Sequence, residues 1–358
     1  MMTYWDHKAM LAFSKRSDWD LHNNLLAPLG QQIVNFATIF LEETNMKRFA
    51  FAVVLMSATL LSAQSPNKNT NKNEPPILGP HLTRDEAAKQ LAKAPAAHKK
   101  GDLVYHNGVI LPSVTTRAIF WGTSWGSYTG DKISGIDTWY SGIGTVGGGA
   151  GSSYEATVNE YTDKAGERVG SSVTYGGHIV DATALPKTIS SSAVLAEVCK
   201  VVSNPVANAY YPVYVDRKRG AAGYCAYHSW GSCGSTPVEF GFFFNLDGDG
   251  GCDPKSTVAG QSQGLAAIAN VSGHELSETR SDPKGNAWFS LTGNENGDNC
   301  AWTFGGPYVT FLDGTNWKIQ GEWSDQANDG TSPNGPGYST SLGTGCVDGT
   351  NYKGPYTQ

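Results

Sequence analysis

Apolar residues in this chain come in short runs set between glycine-, serine- and asparagine-rich stretches, and the period of each run predicts its element. The run at 117–121 predicts a strand, and 132–143 a helix. A glycine-rich turn is expected at 147–151, a helix or strand at 154–161, and a strand at 172–180. A helix over 190–202 precedes two β-rich runs, 210–215 and 238–245. The longest helical pattern follows, from 257 to about 281. Beyond it the chain is rich in Gly, Asn, Asp and Trp, with short strands at most. Strands alternating with helices define an α/β fold. The expectation is a single domain with a mixed sheet packed on helices and a loop-rich C-terminal portion, its compact part beginning near Leu103.

The chain ahead of that domain reads differently. Met46 opens the segment MKRFAFAVVLMSATLLSAQS, in which Lys47 and Arg48 precede an apolar run from Phe49 to Leu61 that only Ser57 and Thr59 interrupt. That run falls short of the roughly 20 residues a membrane span requires. Basic residues, a short apolar core and small residues ending at Ala63 predict a secretory signal peptide over 46–63. Translation is then expected to start at Met46, with residues 1–45 outside the fold. Residues 64–100 are polar and Pro-bearing, and predict a disordered spacer with a short helix at 83–97.

Composition narrows the function classes. Only 16% of the 358 residues are charged, while 43 are Gly. From Gly101 onward, 14 Lys and Arg stand against 24 Asp and Glu, a net charge of −10. Such a domain repels phosphate backbones and anionic membranes, so nucleic-acid binding and a cationic membrane-surface role are excluded as expectations. All six cysteines lie in this stretch, and export makes disulfides the default. Proximity in sequence predicts a local bridge between Cys225 and Cys233, with Cys252 and Cys300 a second pair flanking the longest helix. Partners for Cys199 and Cys346 stay open.

One stretch carries recognisable chemistry: Ser272-Gly-His274-Glu275-Leu-Ser-Glu278-Thr-Arg-Ser-Asp282-Pro283. On a helix, Leu265, Ala269, Ser272 and Leu276 share one face, and His274, Glu275, Glu278 and Asp282 occupy the adjoining arc. His274 and Glu278 are four residues apart, so their side chains meet. The spacing is that of the H-E-x-x-H zinc-hydrolase helix, with Glu278 where the second His would stand. In this zincin-like reading His274 and Glu278 hold Zn²⁺, with Mn²⁺ or Ca²⁺ as alternatives, and Glu275 is the general base. Asp282 is the nearest third ligand, Glu295 and Asp298 are alternatives, and His178 and His228 are weaker nominees. The competing expectation is an ordinary solvated helix face. The Gly147–Gly151 run lacks the Lys-Ser/Thr of a phosphate loop.

Three segments carry a family resemblance: Tyr105-His-Asn-Gly-Val-Ile-Leu, Ala118-Ile-Phe-Trp121-Gly-Thr-Ser-Trp125, and Gly223-Tyr-Cys225 through Cys233-Gly. They resemble the phosphate-induced/EXORDIUM family of secreted plant cell-wall proteins and its bacterial relatives, over about Leu103 to Cys346. The bacterial type has a H-E-x-x-E-x-x-x-D-P run followed by Glu-x-x-Asp-x-Cys, matched here by His274, Glu275, Glu278, Asp282, Glu295, Asp298 and Cys300. Plant members keep an ending like Asp282–Asn286 but carry apolar residues where His274 and Glu278 stand, so their growth-promoting role does not carry over with the motif. The resemblance implies that 101–358 is one EXORDIUM-like domain in an extracellular setting. Two functions follow as expectations. One is a secreted metal-dependent hydrolase, most simply a zinc peptidase acting on an extracellular peptide or cell-wall substrate; the other is a non-catalytic cell-wall binding protein.

Overall fold

A computed structural model describes residues 74–93, 101–143, 154–329 and 345–349. The signal peptide at 46–63, residues 1–45 and the turn at 147–151 lie outside the described residues. In chain order the elements are β1 (Leu78–Leu82), α1 (Arg84–Lys93), β2 (Leu103–Tyr105), β3 (Ser113–Trp121), α2 (Lys132–Ile143), β4 (Ser172–Asp181), α3 (Ser191–Val201), β5 (Ala209–Lys218), β6 (Tyr224–Cys233), β7 (Thr236–Asn245) and α4 (Gln263–Ser281). Short pieces follow: β8 (Trp288–Ser290), α5 (Asn296–Asn299), β9 (Val309–Thr310), β10 (Asn316–Trp317), β11 (Glu322–Trp323), α6 (Asp325–Asp329) and β12 (Cys346–Val347).

The main sheet is mixed and six-stranded, in the order β1-β6-β7-β5-β3-β4. β7, β5, β3 and β4 run parallel, and β6 is antiparallel to both β7 and β1. Parallel neighbours need crossovers, supplied by α2 between β3 and β4 and by α3 between β4 and β5. Central β5 is buried on both faces for most of its length, which is why its sequence, Ala-Tyr-Tyr-Pro-Val-Tyr-Val, is an unbroken run. Edge strand β4 alternates instead.

The alternation along β3 and β5 divides the core. Phe120 and Tyr214 pack with Trp139, Tyr140, Leu265, Ile268 and Leu276 of α2 and α4. Ile119 and Val213 pack on the other face with Val194 and Val198 of α3. Helices thus cover both faces of the sheet, as α/β architecture requires. A third apolar cluster, including Leu103, Tyr161 and Trp323, organises the C-terminal loops. Among the described residues, no helix is long and apolar enough to cross a membrane.

Three expectations are corrected. The compact domain does not begin near Leu103, because Leu78–Leu82 of the expected spacer is the sheet's edge strand, antiparallel to β6. Its two buried positions are Gly79 and His81, so it carries no apolar alternation to read. The long helix starts at Gln263 rather than 257: Ser262 caps it by accepting from the Leu265 N–H, and Gly260, at φ +89°, breaks the pattern before it. β6 was not legible, since its buried run is Cys-Ala-Tyr-His-Ser.

The third correction concerns disulfides. The bridges are Cys199–Cys233, Cys225–Cys252 and Cys300–Cys346. Cys225 and Cys233 lie toward opposite ends of β6, and at about 3.3 Å per residue they stand some 26 Å apart, far beyond bridging distance. Hairpin geometry instead returns the chain after β7 to the start of β6, bringing Cys252 to Cys225. Cys300 is thereby taken from Cys252 and joins Cys346. Peptide mapping without reduction is expected to recover these three pairs. Removing Cys225–Cys252 by double substitution to Ser should cost about 3–4 kcal/mol by loop-closure entropy, read from urea unfolding.

Candidate metal centre

Small residues determine how deeply α4 sits. Ala266, Ala267, Ala269, Ser272, Gly273 and Ser277 let neighbouring elements approach closely, and every residue from Gly264 to Ser281 is buried. At Gly273 a Cβ would fall 2.8 Å from the Tyr154 hydroxyl, closer than packed atoms allow. A solvated helix face is therefore ruled out. His274, Glu275 and Glu278 point into the protein, with none of their surface exposed.

Two further elements converge on them. α5 brings Glu295, its N-cap, and Asp298, which form a capping box between themselves. β6 brings His228. His274 Nε2 lies 3.2 Å from Glu278 Oε1 and 3.8 Å from Asp298 Oδ1. His228 Nε2 lies 3.2 Å from Glu295 Oε2 and 3.9 Å from Glu278 Oε2. Two groups of donor atoms result, His228–Glu278–Glu295 and His274–Glu275–Glu278, each within a 4.8 Å span, as metal ligands require.

Strand β1 covers the cluster. Gly79, at φ +41°, passes so close that a Cβ there would collide with the Glu278 carboxylate and lie 2.9 Å from His228 Nε2. The His81 N–H donates to Glu275 Oε1 at 3.3 Å, and its ring sits 4.3 Å from that of His274. Gln320 ties the rings together. Its amide group donates to the Gly297 carbonyl at 3.0 Å and faces His274 Nδ1 at 3.0 Å. Its oxygen accepts from the Trp302 N–H at 3.2 Å and faces His81 Nε2 at 2.9 Å.

Asp282 belongs to neither donor group, although it is buried near enough to His228 and Glu295 to feel their charges and its Oδ2 has no hydrogen bond. Its Oδ1 accepts the backbone N–H groups of Asn286 and Ala287, each at 2.6 Å, and so closes the turn that ends α4. His178 is far removed, on the opposite edge strand β4, where its Nδ1 meets Asp137 at 2.8 Å. Of the sequence candidates, the structure brings together His274, Glu275, Glu278, Glu295 and Asp298. It promotes His228 from a weak nominee, and it adds Gly79, His81 and Gln320, for which the sequence carries no signal.

Burial dominates the electrostatics. Loss of solvent, then mutual repulsion, holds the Glu275, Glu278 and Glu295 carboxyls well above their ordinary range. Burial likewise lifts Asp298 to about 6 and Asp282 to about 8, and it lowers His228 and His81 to about 4 and His274 well below its usual value. His274 Nε2, Glu275 Oε2 and Glu278 Oε2 are buried without a hydrogen bond. Buried carboxylates of this kind are stable when a cation compensates them, and imidazole with carboxylate oxygen is a donor set that suits a divalent ion.

The signs of these shifts predict a pH dependence for chelated protein. A carboxyl whose value is raised stabilises the fold at low pH, and that stability is lost as pH rises through about 6 for Asp298 and about 8 for Asp282. Histidines lowered to about 4 act oppositely, losing stability as pH falls from 6.5 toward 4. Above 6.5 the carboxyl effect acts alone, so the melting temperature should fall from there to about pH 8. Added divalent cation should raise it more at about pH 8 than at about pH 5, because only deprotonated donors bind the ion.

No protein-family model matches the chain, and no curated protein or solved structure is significantly similar to it. Fold and site together define an α/β protein with a buried histidine–carboxylate centre beneath an edge strand.

Proposed function

We propose that this is a secreted metal-dependent hydrolase, a zinc peptidase in the simplest case, built on the His274-Glu275-x-x-Glu278 helix. The observation that carries the reading is the convergence, from three elements, of buried His228, His274, Glu275, Glu278 and Glu295, with partly exposed Asp298 beside them, around His274 Nε2, Glu275 Oε2 and Glu278 Oε2, which are buried without a hydrogen bond. His274, Glu278, His228, Glu295 and Asp298 would hold the ion. When bound, such an ion lowers the pKa of water and polarises a carbonyl. Glu275 keeps Oε1 on the His81 N–H and leaves Oε2 free, which suits it to take and return a proton. Export is supported by the sequence of 46–63 and by three disulfides, which belong in an oxidising compartment.

A second reading, a non-catalytic extracellular protein of EXORDIUM type whose ion is structural, is favoured by the depth of the centre. Asp298 has the most exposed side chain of the ion-pair donors, at 18%. The test is elemental analysis of the purified protein after reconstitution with Zn²⁺, Mn²⁺ or Ca²⁺, together with cleavage of a peptide library. Stoichiometric metal with cleavage supports the hydrolase, metal without cleavage supports a structural ion in the second reading, and absence of stoichiometric metal overturns the hydrolase and leaves the non-catalytic protein with a merely structural carboxylate helix.

A further inference from the structure

The two donor groups share one residue, Glu278, and its two carboxylate oxygens face different histidines. Oε1 lies 3.2 Å from His274 Nε2, and Oε2 lies 3.9 Å from His228 Nε2. Two ligand atoms on one tetrahedral ion, each about 2.1 Å from it, stand about 3.4 Å apart. The observed pairs, 3.2 Å for His228–Glu295 and 3.2 Å for His274–Glu278, each match the edge of one coordination sphere. We infer that the centre takes two divalent cations bridged by the Glu278 carboxylate, one held by His228 and Glu295, the other by His274 with Asp298 and Glu275 beside it.

Charge supports the pair. Glu275, Glu278, Glu295 and Asp298 supply four carboxylates around imidazoles that burial keeps neutral. One dication matches the charge of two carboxylates and leaves the others protonated, and a second takes those as charged ligands too. Donor count agrees, since the five side chains other than Glu275 exceed what one four-coordinate ion uses. Two His and four carboxylates is also the set with which helical-bundle proteins hold paired iron or manganese. The oxygen-rich environment therefore favours Mn²⁺ or Fe²⁺ as readily as Zn²⁺. Glu278 Oε2 and His274 Nε2, buried and unbonded, are the atoms such ions would claim.

The inference rests on the metal-binding half of the proposed function and is independent of hydrolysis. The experiment is titration of the demetallated full protein with Mn²⁺, counting bound ion by elemental analysis and recording its electron paramagnetic resonance. Two ions per chain with an exchange-coupled signal are expected. Glu295→Gln, nearly isosteric, should reduce the count to one and restore the six-line signal of isolated Mn²⁺. Glu278→Gln should abolish the coupling. One ion per wild-type chain, or two without coupling, would overturn the pair while leaving the metal reading intact; no bound ion would overturn both. Should a variant fail to fold by circular dichroism, the wild-type count and signal decide alone.

Discussion

Replacing Glu275 by Gln is expected to leave the bound metal unchanged and to reduce peptide hydrolysis at least about a hundredfold, the usual contribution of a positioned general base. The amide keeps the volume and can still accept the His81 N–H, which Glu275 Oε1 receives at 3.3 Å, but it cannot take a proton. His274→Ala is expected to lose both activity and metal, because it removes the only imidazole of one donor group. Elemental analysis and cleavage rates on wild type and the two variants separate the outcomes. Full activity in Glu275→Gln would remove the residue from the chemistry, and unchanged metal in His274→Ala would remove the ligand assignment.

The largest stability effect is expected one turn from the centre, at Arg280. Its guanidinium is completely buried, paired with the Glu155 carboxylate and donating to the backbone carbonyls of Glu155, at 3.0 Å, and of Gly170. Beside it, Tyr154 donates to Glu322 at 2.5 Å. These contacts fasten the end of α4 to the single turn of 3₁₀ helix at Glu155–Val158. Arg280→Ala should cost about 3–5 kcal/mol, because it strips the counter-charge from a buried carboxylate and opens a cavity. Pairing Arg280→Met with Glu155→Gln should recover much of the loss, since the desolvated charges vanish together. Urea unfolding of the single and double variants measures both. A loss below about 1 kcal/mol for Arg280→Ala would show that the pair carries little of the fold.

Arg280 also illustrates the limit of pattern reading. Its place in Glu278-Thr-Arg-Ser-Asp282 looks like the polar side of an amphipathic helix, and the same pattern allowed a solvated face for His274 and Glu278. Burial on every side of α4 overturned that, because the helix is covered by the sheet on one flank, by α5 on another and by β1 above. A residue's own periodicity reports the apolar neighbours it prefers; it does not report polar partners delivered from distant segments. His228 is the clearest instance. It sits in a strand with little apolar alternation, forty-six residues before His274, and only the β6–β7 pairing beside α4 brings it to the cluster.

Local chemistry in the sequence sufficed for the α/β class, the helices at 132–143 and 190–202, the central strands, and the spacing that sets His274 and Glu278 on one side of a helix. These depend on periodicity and on i, i+4 geometry, which neighbouring residues settle among themselves. Glu295 and Asp298 were legible as candidates because they follow the helix closely in a loop that Cys300 could tie back by a disulfide, although that tie runs to Cys346 and not to Cys252. Cysteine pairing was not, for bridging depends on which strand ends meet, and an extended strand separates Cys225 from Cys233 however near they are in number. Gly79 and His81 were read as spacer because an edge strand that covers a polar cluster needs a small residue and hydrogen-bond donors rather than an apolar stripe. What only the tertiary structure decided, then, was which polar groups lose water together, since desolvation is a property of everything packed around a residue.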